Sequence, residues 1–159
     1  MLSNSVSRVF VVDDEQVIAS TLAAILILHG YSATFFTSAL AALAAARSEA
    51  PDFLISDVAM PGLSGIDLAI QMKAQYPECK ILLFSGQAAT MDLLEDARNQ
   101  GHSFQLLEKP VHPSVMLSSI GALATESSFA ALRTSPWPVP ALPVKPTWIR
   151  RMARRTRTS

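Results

Sequence analysis

The chain has little of what builds disulfides, exported proteins or membrane spans. Cys79 is its single cysteine, which excludes an internal disulfide and argues against a cysteine-based metal site. Apolar runs such as residues 22–28 fall far short of the about 20 residues that cross a bilayer. The N-terminus also lacks the basic and apolar stretches of a secretory signal. We therefore expect a cytoplasmic protein without a membrane partner.

Acidic residues are absent from the last part of the chain. All thirteen acids lie at or before Glu126, together with only six of the thirteen bases, which leaves seven net negative charges there. The neutral total thus hides an acidic segment and a basic one. Prolines recur between residues 136 and 146 and argue against regular structure. We predict one folded domain over residues 7–125 and a disordered Pro/Arg-rich tail over residues 126–159.

Short apolar runs of strand type alternate with helical segments along residues 7–125. The runs are residues 9–12, 33–36, 53–56, 81–84 and 103–107. Helices are predicted after each run, capped by Ser38 and Ser64 in two cases and ending near residue 124 in the last. The alternation predicts an α/β fold, a five-stranded doubly wound parallel sheet of flavodoxin-like (βα)5 type with helices on both faces.

Charged or reactive residues stand where four of these strands end. Asp13 and Asp14 come after the first run, Asp57 after the third, Ser85 after the fourth and Lys109 after the fifth. The carboxyl ends of parallel strands form one crevice, so we expect these side chains to converge. Together they would bind a hard divalent cation and a phosphoryl group. Taken alone, either Asp13 or Asp14 could instead cap the first helix.

The ordered motifs resemble those of a known family. In chain order they are Asp13-Asp14, Asp57 with Met60-Pro61-Gly62, Ser85-Gly86 and Lys109-Pro110. This set, spread over roughly residues 7–125, is similar to the receiver domain of two-component response regulators, the CheY-like domains. An ordered set is far more specific than any single motif.

The resemblance implies a phosphoryl acceptor that depends on Mg²⁺. Asp57 would be the nucleophile, Ser85 would donate a hydrogen bond to the phosphoryl group and Lys109 would neutralise its charge. The implied metal ligands are Asp14 and Asp57 directly, Asp13 through water, and the backbone carbonyl of Ala59. The Lys109–Pro110 peptide bond is implied to be cis. Without metal, repulsion among the carboxylates is expected to raise the pKa of at least one of them.

Two positions depart from the family pattern. Receiver domains usually carry an aromatic residue three positions before the lysine, where this chain has Leu106, and the nearest aromatic is Phe104. The variable pair that flanks the site is Ala59 and Gln87. Because Ala59 cannot orient a water, we expect slow self-dephosphorylation.

His29, His102 and His112 are scattered and lack the spacing of metal ligands.

The sequence favours a single-domain response regulator that is phosphorylated on Asp57 by a histidine kinase or a histidine phosphotransfer protein. It is expected to catalyse only its own phosphorylation and dephosphorylation, and to signal by contact with a downstream protein through the fourth helix, fifth strand and last helix. A pseudo-receiver that docks partners without phosphate is the alternative. A phosphoesterase would need an acid in place of Ala59.

The tail's arginines could contact an acidic partner or nucleic acid, but without a folded DNA-binding domain sequence-specific DNA binding is not expected.

Overall fold

Five parallel strands form one sheet in the computed structural model, which describes residues 5–86 and 90–133. The strand order is β2-β1-β3-β4-β5. The elements are β1 (Arg8–Val12), α1 (Gln16–Leu28), β2 (Ser32–Phe36), α2 (Ala39–Ala46), β3 (Phe53–Asp57), α3 (Gly65–Gln75), β4 (Lys80–Ser85), α4 (Thr90–Asn99), β5 (Gln105–Glu108) and α5 (Pro113–Arg133). This arrangement confirms the predicted doubly wound α/β fold.

The central strands bury both of their faces. In β1, Val9 and Val11 pack with α1 and α5 on one face, whereas Phe10 and Val12 pack with α2, α3 and α4 on the other. Side chains along a strand alternate between the two faces, so a strand covered on both sides is apolar throughout. This explains the continuous apolar runs of the sequence. Because all five strands are parallel, their carboxyl ends lie at one edge of the sheet.

Helix ends follow the turn residues that the sequence offers. Gly30 and Gly101 adopt a φ of 87° just beyond α1 and α4, a backbone conformation that favours glycine. Ser64 is the cap residue of α3, and its hydroxyl accepts a hydrogen bond from the amide of Asp67 at 3.1 Å. Ser38 occupies the cap position of α2, but its side chain makes no capping hydrogen bond. The predicted cap is therefore realised at Ser64 and not at Ser38.

Two predicted element bounds are wrong. The last helix runs to Arg133 and not to about residue 124, because residues 125–133 contain neither proline nor glycine to stop it. The fifth strand begins at Gln105, so Ser103 and Phe104 precede it. Gln87 and the Pro/Arg-rich part of the tail, residues 134–159, lie outside the described residues. Within the described ranges, no helix has the length and apolarity that a membrane span requires.

Candidate functional site

The carboxyl edge of the sheet gathers the residues that the sequence singled out. Asp57 and Ser85 are the last residues of β3 and β4, and Asp13 and Lys109 directly follow β1 and β5. One carboxylate oxygen from each of Asp13, Asp14 and Asp57 lies within 4.8 Å of the others. Hard divalent cations such as Mg²⁺ prefer oxygen ligands of this kind. The donor set therefore fits such a cation.

Lys109 ties two of these carboxylates together. Its Nζ lies 3.0 Å from Oδ2 of Asp13 and 3.1 Å from Oδ1 of Asp57. Asp13 is 2% exposed and Asp57 is 7% exposed, so both charges are largely removed from water. A buried carboxylate needs a cation or hydrogen-bond donors to stay ionised. Lys109 supplies both to this pair of aspartates.

The burial of Asp57 governs its ionisation. Desolvation raises the pKa of Asp57, while the hydrogen bond and charge of Lys109 lower it, and repulsion from Asp13 and Asp14 adds smaller increases. A raised pKa in the acidic cluster is what the sequence predicts, but desolvation is a larger cause than repulsion. For Lys109, burial would lower the pKa, yet the hydrogen bonds and charges of Asp13 and Asp57 outweigh it and raise the pKa.

Asp13 is fixed from two sides. Its Oδ1 accepts a hydrogen bond from the amide of Glu15 at 2.9 Å, while its Oδ2 faces Lys109. The first contact spans two residues and lies just before α1, whose cap residue is Glu15 and has no side-chain capping hydrogen bond, so Asp13 does not cap this helix. The second contact joins the same carboxylate to the cluster. Asp13 thus has a structural contact and a site contact at once, whereas Asp14 is exposed.

Ser85 and Lys109 are joined through the backbone. The amide of Lys109 donates to the carbonyl of Ser85 at 2.7 Å, which extends the pairing of β4 and β5 to the site. Ser85 is 5% exposed. The Lys109–Pro110 peptide bond is cis, as the resemblance implies. The ends of β4 and β5 are therefore held as one unit next to Asp57.

Two residues that the sequence analysis does not single out lie on either side of the loop after β3, one inside the strand and one at the start of α3. Ser56 is fully buried, and its hydroxyl donates to the carbonyl of Asp57 at 2.9 Å. Gly65 begins α3 so close to β3 that a Cβ added there would overlap the carbonyl oxygen of Asp57. A serine inside a buried strand and a glycine directly after a helix cap were the available signals. Ala59 lies two residues beyond Asp57 and is exposed.

Leu106 occupies the place where the resemblance implies an aromatic ring. It packs with Phe104 against the core on the side of α2, α3 and α4. The ring of Phe104 stacks on that of His102 with centroids 6.0 Å apart and planes at 7°. The aromatic group of this segment is therefore Phe104, which precedes β5 and lies two residues from the usual position.

The three histidines do not join the acidic cluster, which among the described residues consists of Asp13, Asp14 and Asp57. Nδ1 of His29 lies 2.8 Å from the carbonyl oxygen of Ile25. Nδ1 of His112 lies 2.7 Å from Oγ of Ser114, at the beginning of α5. Both contacts lie at the ends of helices.

Comparison with known proteins assigns the family. The family model of the response regulator receiver domain matches residues 9–121. The chain belongs to this family. Two-component signalling is therefore the system in which this receiver domain takes part, and its flavodoxin-like fold is the one that the family shares.

The receiver domain is similar to transcriptional regulators that are longer than this chain. It is 36% identical over 86 residues to the regulatory protein CreB of Escherichia coli, covering 54% of this chain and 38% of CreB. It is 32% identical over 124 residues to FixJ of Bradyrhizobium diazoefficiens, covering 78% of this chain and 60% of FixJ. The chain thus spans less than two thirds of the length of either regulator.

A solved structure shows the same domain. The CheY-like receiver domain protein from Methanospirillum hungatei superimposes with a TM-score of 0.70 at 25% identity, covering 78% of this chain and 98% of that one. The similarity thus extends over nearly the whole of that receiver domain protein.

Proposed function

We propose that the chain is a single-domain response regulator whose Asp57 accepts a phosphoryl group from a histidine kinase or a histidine phosphotransfer protein. The observation that supports this most strongly is the contact between Lys109 and the buried carboxylate of Asp57 at 3.1 Å, inside a cluster of three aspartates. We place the signalling in the cytoplasm. The chain acts as a phosphoacceptor that promotes only its own phosphorylation and dephosphorylation.

Each residue of the site has its own role in the proposed phosphoryl transfer. The bond between phosphorus and the donor's imidazole nitrogen breaks as a bond forms between phosphorus and a carboxylate oxygen of Asp57. Asp13, Asp14, Asp57 and the carbonyl of Ala59 would hold Mg²⁺, which supplies charge neutralisation for the phosphoryl oxygens. Lys109 neutralises a further oxygen, and the hydroxyl of Ser85 donates a hydrogen bond to the new aspartyl phosphate.

Phosphorylation would reach the surface through the end of β4. The backbone carbonyl of Ser85 accepts a hydrogen bond from the amide of Lys109, and α4 begins at Thr90, shortly after Ser85. A cleft of about 730 Å³ lies between α4 and β5. Its lining residues are Met91, Leu94, Glu95, Arg98, Asn99, Phe104, Gln105 and Leu106. We propose that this face contacts the downstream protein, with Leu106 and Phe104 replacing the usual aromatic switch.

Ala59 favours a long-lived phosphorylated state. A methyl side chain next to the phosphoryl group offers no hydrogen bond to an attacking water. We therefore expect the aspartyl phosphate to persist for minutes or longer, and a decay within seconds would contradict this.

The basic tail adds a weak contact with an acidic partner or nucleic acid, without sequence-specific DNA binding.

A phosphate-independent docking module is the second candidate, because Leu106 departs from the family's switch residue. Intact mass after incubation with Mg²⁺ and phosphoramidate separates the two. The proposal requires one phosphoryl increment that is absent in Asp57→Asn and absent in EDTA. No increment with phosphoramidate or acetyl phosphate would favour the docking module, and partner binding would then be compared in the parent and in Asp57→Asn.

A further inference from the structure

The peptide group that joins Asp57 to Val58 is held at both of its polar atoms. Its carbonyl oxygen accepts the hydrogen bond from the hydroxyl of Ser56 at 2.9 Å. Its amide, which belongs to Val58, donates to the carbonyl of Phe84 on β4 at 2.9 Å. A peptide plane fixed at both ends cannot rotate without breaking a buried hydrogen bond. The backbone on the carboxyl side of Asp57 is thus locked.

Helix α3 closes the third side of this peptide group. A Cβ on Gly65 would also lie 2.8 Å from the carbonyl carbon of Asp57 and 2.9 Å from Cα of Val58, distances that real Cβ atoms do not show. The amide of Gly65 donates to the carbonyl of Val58 at 3.0 Å. The absent side chain of Gly65 therefore leaves the space that the peptide group occupies.

Ser56 is a polar side chain on a buried face of β3. It points to the same face as Leu54 and Val58, which belong to the core beneath α2, α3 and α4, and it is 0% exposed. A hydroxyl at such a place costs free energy unless it is hydrogen-bonded. Its partner is the carbonyl of the residue that we propose as the nucleophile.

We infer that Ser56 is a positioning residue for Asp57, acting through the carbonyl of Asp57 in the space that Gly65 leaves open. The inference rests on the proposed function. The locked peptide lies between the carboxylate of Asp57 and the carbonyl of Ala59, which are two of the proposed ligands of Mg²⁺. It restrains the backbone from which the carboxylate of Asp57 extends and the chain that leads to the carbonyl of Ala59, and small errors in the placement of reacting groups cost large factors in rate.

The test compares Ser56→Ala with Ser119→Ala, which removes a hydroxyl from another largely buried serine, on α5. For each folded variant, phosphorylation by phosphoramidate is followed by intact mass, Mg²⁺ affinity by calorimetry, and amide exchange of the peptide around Val58 in metal-free protein. Ser56→Ala should be phosphorylated about tenfold more slowly, bind Mg²⁺ several-fold more weakly and exchange faster around Val58. Ser119→Ala should match the parent in all three.

Ser56→Thr keeps the hydroxyl and should recover most of the rate, and Ser56→Cys, a weak donor of similar size, should fall between serine and alanine. The cysteine variant decides the matter if alanine prevents folding. Parent-like Mg²⁺ affinity and exchange in a folded Ser56→Ala would overturn the inference. A parent that is not phosphorylated would contradict the proposed function instead, and the affinity and exchange measurements would still decide the role of Ser56.

Discussion

Lys109→Met should lower the unfolding free energy of the metal-free protein by about 3 kcal/mol at pH 7. The ammonium of Lys109 lies 3.0 Å from Asp13 and 3.1 Å from Asp57. Methionine keeps much of the apolar stem and removes the charge. Two largely buried carboxylates then lose the cation that pairs them.

Opposing effects set this magnitude. Two unit charges 3 Å apart attract by about 5 kcal/mol at an effective dielectric constant of about 20, so two contacts give an upper bound of about 10 kcal/mol. The variant avoids the cost of burying an ammonium, and an unpaired carboxylate can take up a proton. Removing one partner of a buried pair costs about 3–5 kcal/mol in general. The side chain of Lys109 is 25% exposed, so we expect the lower end.

The loss should shrink on acidification. Folding raises the pKa of Asp57 through burial, while Lys109 lowers it. Without Lys109 this pKa rises further, so the folded variant gains more stability than the parent as the pH falls through it. The contribution of Lys109, whose own pKa is raised by folding, is complete below its unfolded value of about 10.4. Neutral pH therefore lies inside the window in which the full loss is expected.

Urea unfolding in EDTA, followed by circular dichroism at pH 7 and pH 5, measures both quantities. Lys80→Met is the matched control, because Nζ of Lys80 lies 5.0 Å from the ring centre of Phe53, a contact that contributes about 0.5–1 kcal/mol. A loss for Lys109→Met no larger than that of Lys80→Met, or one that is equal at both pH values, would refute the reasoning.

Three further predictions concern the metal, the packing of α3 and the thiol. Mg²⁺ should raise the thermal midpoint of the parent but shift Asp57→Asn much less, and equal shifts would place the ion elsewhere. Gly65→Ala should destabilise the protein by about 2–3 kcal/mol. In the control Gly121→Ala an added Cβ meets nothing within 4 Å, so this variant should be neutral or stabilising by up to about 1 kcal/mol. Equal urea midpoints for the two variants would contradict the close approach of Gly65 to Asp57. Burial raises the pKa of the Cys79 thiol to about 12, so a thiol reagent should label the native protein at pH 8 far more slowly than the unfolded one.

The site could be predicted from the sequence because its position depends on simple geometry. Asp13, Asp57, Ser85 and Lys109 each stand at the end of an apolar run, and the ends of parallel strands meet at one edge. The order of these residues along the chain also carries the resemblance to receiver domains. Neither inference requires knowledge of side-chain packing.

The supporting contacts could not be predicted because they depend on how α3 packs. Gly65 is indistinguishable in sequence from any glycine after a helix cap, and Ser56 from any polar residue in a strand. Their importance follows from the carbonyl of Asp57, which both residues face. The end of α5 differs from the prediction for another reason. The change in composition near Glu126 indicates a boundary, but nothing in residues 125–133 breaks a helix.

Location of the phosphoryl group on Asp57 is the central claim, and borohydride trapping tests it most directly. An acyl phosphate on an aspartate is reduced to homoserine, whereas a free carboxylate is not. After treatment with phosphoramidate and Mg²⁺, peptide mass spectrometry should find homoserine at residue 57 and unmodified Asp13 and Asp14. Homoserine at Asp13 or Asp14, or at none of the three in protein that carries the phosphoryl increment, would contradict the account.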